Sequence, residues 1–205
     1  MNVVVNEQLI NRRAKLGKIA SLAGLAILAG GMVASFQEKL LYVSFAALII
    51  GFIVSQVGSY NTIRWGRKPR ADELLVKALK GLDSRFSFYH YYLPASHVLV
   101  GPTGIFVFLV KFQGGQITFD GRRWREKKGL GRILLFFGQE SLGNPTLELN
   151  MEVEHLSKLI AEKHPDLKPT IRGVVVFVNP KVELSLNEPT VPVLKVKQLK
   201  PYVRR

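Results

Sequence analysis

The run of apolar and polar positions divides the chain into two parts of different kind. From Ile19 to Phe36 and again from Leu40 to Ser59 no residue is charged, and only Gln37-Glu38-Lys39 separates the two runs. At about 1.5 Å per residue, each run is long enough to cross or nearly cross a hydrocarbon core of about 30 Å. A cleaved signal sequence would account for the first run and leave the second unexplained. A core helix of a soluble protein rarely runs this far without a polar face. The pattern therefore predicts a transmembrane helical hairpin within residues 19–60, preceded by a polar, basic segment over residues 1–18. Arg12, Arg13, Lys15 and Lys18 precede the first span, Arg64, Arg67, Lys68 and Arg70 follow the second, and the connection carries no net charge. Both ends are thus expected on the cytoplasmic side of the inner (plasma) membrane. Small residues at four-residue spacing, Ala26, Gly30 and Ala34 in the first span and Gly51 and Ser55 in the second, are candidates for close helix packing.

Beyond a basic linker over residues 61–70, whose Lys68-Pro69-Arg70 ends the helical pattern, the periodicity changes. Leu74, Leu75, Ala78, Leu79 and Leu82 recur at helical spacing, with Asp72 and Glu73 in the first turn, where acidic side chains favour the helix dipole. Phe86 to Tyr92 reads as a strand, and so does His97 to Val100, which halts at Gly101-Pro102-Thr103-Gly104. Ile105 to Val110 is apolar at every position, so that strand should be covered on both faces; it ends in Lys111. Gln116 to Phe119 and Arg123-Trp124 flank Asp120-Gly121, a hairpin signal. Ile133 to Phe137 is another strand candidate, and Asn144-Pro145 opens a helix on which Leu149, Val153, Leu156, Leu159 and Ile160 form one stripe. Gly173 to Val178 is a second wholly apolar strand, followed by short apolar runs at Val182 to Leu184 and Val191 to Val196. The fold class expected is α/β: an N-terminal two-helix transmembrane hairpin, then a domain over residues 71–205 with a mixed central sheet flanked by helices.

Composition narrows the partners. The formal net charge is +14, from 29 basic and 15 acidic residues, and 24 basic against 13 acidic residues lie from Asn61 onward. Such an excess points to a polyanion, either nucleic acid or anionic lipid. There is no cysteine, so disulfides and thiolate metal sites are excluded. The basic residues concentrate at Arg122, Arg123, Arg125, Lys127, Lys128 and Arg132, with Trp124 among them and Glu126 as the counter-charge. Basic residues around an aromatic can grip phosphates and stack on a base, can lie against anionic lipid, or can form a plain solvated hairpin; the residue pattern leaves all three open. The four histidines are read as packing or surface residues, since none stands at ligand spacing from another.

In order, the strand from His97, the Gly-Pro-x-Gly turn, the buried strand ending in Lys111, the Asp-Gly turn with Trp124, the Asn-Pro helix and the GVVVFV strand resemble the nuclease-related domain (NERD) family of the PD-(D/E)xK restriction-endonuclease-like superfamily, from about Ala71 to Tyr202. The family pattern runs Asp-His, three apolar residues, Gly-Pro-x-Gly, four apolar residues, Glu-x-Lys. The resemblance implies metal-dependent phosphodiester cleavage, in which Mg²⁺ takes hard carboxylate ligands. Here Ser96 stands at the Asp position and Leu109 at the Glu position, and only Lys111 remains. Leucine ligates nothing and a hydroxyl carries no charge, so the expectation is a degenerate site that needs no cofactor. The alternative is an active nuclease that keeps Mg²⁺ through a relocated carboxylate, Glu148 on the Asn-Pro helix with Asp72 or Glu73. A membrane-associated protein-interaction module without nucleic-acid binding is the remaining reading.

Overall fold

The computed structural model describes residues 1–127 and 141–204. Glu7–Arg70 falls in one compact unit, and Met1–Asn6 joins the described residues from Ala71 onward in the other.

The helical unit consists of α1 (Glu7–Ala34) and α2 (Leu41–Asn61). Both are long and apolar enough to cross a membrane. Their exteriors are apolar as well: Leu22 is 69% exposed, Leu25 63% and Ile49 62%, an apolar surface of the kind that marks a membrane or protein contact. What they bury against each other is a seam of small residues, Gly17, Gly24 and Gly31 from α1 and Ser44, Gly51 and Gly58 from α2. A Cβ built on Gly24 would lie 2.8 Å from the Ser55 Cα, and one on Gly58 2.7 Å from the Ser21 Cα, so the backbones themselves touch and only glycine fits. The Ser44 hydroxyl donates to the Gly31 carbonyl at 2.6 Å across the seam. The seam repeats every seven residues, and this corrects the four-residue face expected from the sequence. Ala26 and Gly30 are exposed, and nothing approaches within 4 Å of a Cβ on Gly30. Gly51 does lie in the seam, and Ser55 packs on Gly24.

The α/β unit contains β1 (Asn2–Val5), α3 (Ala71–Ala78), β2 (Ser87–His90), β3 (His97–Gly101), β4 (Gly104–Lys111), β5 (Gly115–Phe119), β6 (Trp124–Glu126), α4 (Pro145–Lys163), β7 (Ile171–Phe177), β8 (Val182–Leu186), β9 (Val193–Lys195) and α5 (Leu199–Val203). Six strands pair in the order β1-β2-β3-β4-β7-β9 and three more in the order β6-β5-β8. The larger sheet is mixed: β2, β3 and β4 run antiparallel in turn, while β1 with β2, β4 with β7 and β7 with β9 are parallel. The β3–β4 turn has Pro102 and Thr103 at its tip, closed by Gly104 at φ +121°, which the missing Cβ permits.

Alternation along β4 divides the core. Phe106 and Phe108 face a cluster with Leu75 and Leu79 of α3 and Leu199 and Val203 of α5, whereas Val107 and Leu109 face a cluster with Leu149 and Leu156 of α4. A strand covered on both sides is what its unbroken apolar run demands. Where the sequence shows one polar, basic stretch over residues 1–18, the structure has β1 and the opening turns of α1. Val3-Val4-Val5 is β-branched, but three residues form no period, and the strand exists because β2 offers it an edge.

Candidate functional site

The site implied by the motif order forms where β3 begins, β4 ends and α4 starts. Asn144 caps α4, its side-chain oxygen accepting from the Leu147 N–H, and Pro145 opens the first turn. This places Glu148 in the first turn and Glu152 one turn later on the same side. Lys111, at the end of β4, has a side chain only 2% exposed, and its Nζ donates to Glu148 Oε2 at 2.7 Å. Ser96, just before β3, donates its hydroxyl to Glu152 Oε1 at 2.9 Å and its backbone N–H to Oε2 at 3.2 Å. Leu109 lies on the same face of β4 as Lys111 and packs into the α4-side core.

Lys111 and Glu148, which the sequence named separately, are therefore brought together. Asp72 and Glu73 are not: they sit on α3, which covers the other face of the sheet, and neither hydrogen-bonds or ion-pairs with Lys111 or Glu148. These residues do not offer Mg²⁺ the donor set that the motif implies. Leu109 brings no oxygen, the Ser96 hydroxyl is committed to Glu152, and an ammonium already occupies Glu148. Among the described residues no group of three or more His, Asp or Glu side chains is arranged to hold a metal ion.

The basic hairpin stands beside this site. Trp124 Nε1 donates to Thr146 Oγ1 at 2.9 Å, fastening β6 to the turn of α4 that carries Glu148. The indole packs on Phe119, ring centroids 4.8 Å apart, and lies 6.4 Å from Phe177, so this aromatic is engaged in the core rather than presented with its basic neighbours. Asp120 organises the turn by accepting the backbone N–H groups of Arg122 at 3.0 Å and Arg123 at 2.7 Å. Those amides, Arg123 first and then Arg122, with the Arg125 guanidinium nearby, hold its carboxyl below the usual carboxylate range. Arg122, Arg123, Arg125 and Lys127 are exposed. Lys128, Arg132 and the strand expected over Ile133 to Phe137 lie outside the described residues.

One pairing escaped the sequence reading. His90 and His97 stand directly opposite each other on β2 and β3 with their Nδ1 atoms 2.9 Å apart, both buried, so that one ring donates to the other. Their separation along the chain shows no ligand or pair spacing; only the antiparallel register brings them together.

No curated protein and no solved structure matches the chain. A family model described as nuclease-related domain matches residues 69–178, more than half of the chain and the whole stretch from the linker through β7 that builds this site. The chain therefore belongs to the NERD, or nuclease-related domain, family.

Proposed function

We propose that this protein is a membrane-anchored NERD domain that holds a polyanion, a nucleic-acid strand, at the cytoplasmic face of the inner membrane without cutting it. The observation that carries the reading is the 2.7 Å pair of buried Lys111 with Glu148, next to Leu109 where the family motif has a carboxylate. The lysine is spent on a charge within the protein, and the two carboxylates described at the site, Glu148 and Glu152, are engaged by Lys111 and Ser96 rather than gathered around a metal that would activate water. Binding falls to Arg122, Arg123, Arg125 and Lys127, continuing through Lys128 and Arg132; these side chains are long, cationic and, where described, open to solvent. Trp124 serves as their anchor to α4 rather than as a stacking platform.

The anchor comprises the two apolar helices, with the membrane within residues 19–60, the basic segment 1–18 and linker 61–70 at its surface, and the α/β domain from residue 71. Because β1 precedes α1 and pairs with β2, which follows α2, two crossings must return the chain to its starting side. The basic flanks assign that side to the cytoplasm.

One observation favours a second reading, an active nuclease built around Glu148: that carboxylate does meet Lys111, as a catalytic pair would. A single experiment separates the two. Full-length protein in detergent micelles is incubated with plasmid, linear and single-stranded DNA in Mg²⁺ or Mn²⁺, with binding measured in parallel. The first reading expects retention of DNA that weakens steeply with salt, is lost on reversing Arg122, Arg123 and Arg125 to Glu, and leaves the DNA intact. Cleavage that disappears in Glu148→Ala or Lys111→Ala establishes the second reading. Binding to anionic vesicles in preference to DNA rejects nucleic acid as the polyanion.

A further inference from the structure

The larger sheet ends on β1, and among the described residues no strand pairs with its outer edge. Asn2 and Asn6 donate their backbone N–H groups inward, to the Phe86 and His90 carbonyls. Strand alternation therefore turns the N–H groups of Val3 and Val5 outward. Edge strands are usually blunted by charge, proline or a bulge. The NVVV of β1 has none of these, and Val3 and Val4 are 40% and 37% exposed.

Beside this edge a groove of about 590 Å³ opens between β1 and α3. Met1, Val3, Val76 and Leu82 make its lining largely apolar, and Lys77 of α3 and Lys80 of the turn after it stand along the opposite wall. Both lysines are exposed and neither has an ion-pair partner among the described residues. Lys200 donates to the Lys80 carbonyl at 2.7 Å and Arg204 to the Gly81 carbonyl at 3.0 Å, which brings two further cations to the same end of α3. Glu73, one turn before Lys77, is the acidic residue of the lining.

We propose that β1 and α3 form a docking groove for an extended, acidic peptide segment of another protein. The segment adds as a strand to the outer edge of β1, sets apolar side chains against Val3 and Val76, and sets carboxylates against Lys77 and Lys80. An edge strand beside a helix is a geometry that captures extended peptides through main-chain hydrogen bonds, with side-chain pockets supplying selectivity. A lipid acyl chain would fill the apolar floor but offers nothing to the outward N–H groups of Val3 and Val5. A second copy of β1 would satisfy those groups, yet its NVVV brings no carboxylate to the lysines.

The test uses full-length protein in detergent micelles and a fluorescein-labelled peptide of about ten residues alternating valine and glutamate, with a valine–lysine peptide as its counterpart. The valine–glutamate peptide is expected to bind and to shift the amide resonances of Val3 and Val5. Reversing two exposed charges in Lys77→Glu/Lys80→Glu should weaken it at least ~10-fold. Val3→Pro, which removes an outward donor while leaving the inward bonds of Asn2 and Asn6, should weaken it comparably. No binding, equal binding of the valine–lysine peptide, unchanged affinity in the lysine variant, or binding without shifts at Val3 and Val5 would each overturn the proposal. Binding of anionic vesicles through Lys77 and Lys80 would make lipid the occupant instead. A dimer abolished by Val3→Pro would make it a second copy of the chain.

Discussion

At the scale of single residues, the Lys111–Glu148 pair is asymmetric: the ammonium is 2% exposed and the carboxylate 40%. Removing the carboxylate leaves a buried cation with no counter-charge, while removing the lysine leaves a carboxylate that water can reach. Glu148→Ala is therefore expected to destabilise the α/β unit by about 2 kcal/mol, below the ~3–5 kcal/mol of a fully buried pair because solvent screens the exposed partner. Lys111→Met should cost less, and the double variant should recover most of the Glu148→Ala loss. Thermal unfolding of the four proteins in micelles checks this, and equal losses for the two single variants would show that burial does not govern the pair. Ser96, Leu109 and Lys111 were legible in the sequence because they sit at fixed steps from a Gly-Pro turn. That Glu148 reaches Lys111 was legible only as an option, since the angle at which α4 crosses the sheet leaves no trace in residue order. Glu152 escaped notice as the partner of Ser96 for the same reason, and the His90–His97 pair because it depends on register.

At the scale of elements, the two long helices show how a correct period class can carry the wrong period. The apolar runs identified both helices, but α1 is so rich in Gly and Ala that small residues recur at several spacings at once. The packing uses the seven-residue series, Gly17, Gly24 and Gly31, a period of about 3.5 residues per turn that keeps one face toward the partner, whereas a strict four-residue series drifts off it. Gly24→Leu and Gly58→Leu should each separate α1 from α2, since even a Cβ would collide with the facing backbone. Gly30→Leu should be tolerated. Protease resistance of the helical unit in micelles is the measurement, and a Gly30 variant as fragile as the Gly24 variant would disprove the seam. Other elements obeyed their pattern more directly: β4 is apolar from Ile105 to Val110 and β7 from Gly173 to Phe177, and both runs lie between helix-covered faces. The short β1 and β9 carried too few residues for any period to show.

At the scale of the whole molecule, the sheet and the membrane make the same demand. If α1 and α2 each cross the bilayer, reporters fused at the N-terminus and the C-terminus should both read cytoplasmic, and one inserted at Glu38 should read external. Reporters at the two termini that read opposite sides would be incompatible with β1 and β2 lying side by side, and two external readings would overturn the cytoplasmic assignment. The family was legible because its motifs form an ordered series in the sequence, whereas the joining of the first residues to the domain rests on a pairing between Asn2 and Ser87 that no local pattern announces.

That pairing also fixes an order of events during synthesis. β1 is made before α1 and α2 and its neighbour β2 only after them, so β1 has no strand to pair with until both helices have been synthesised. A chain whose hairpin stops half way, with one crossing instead of two, leaves β1 on the far side of the bilayer and the Ser87–His90 edge bare. Such an edge is a target for aggregation and for quality-control proteases. If the two helices do span a bilayer, the sheet that joins β1 to β2 forms only in a chain that makes both crossings or neither.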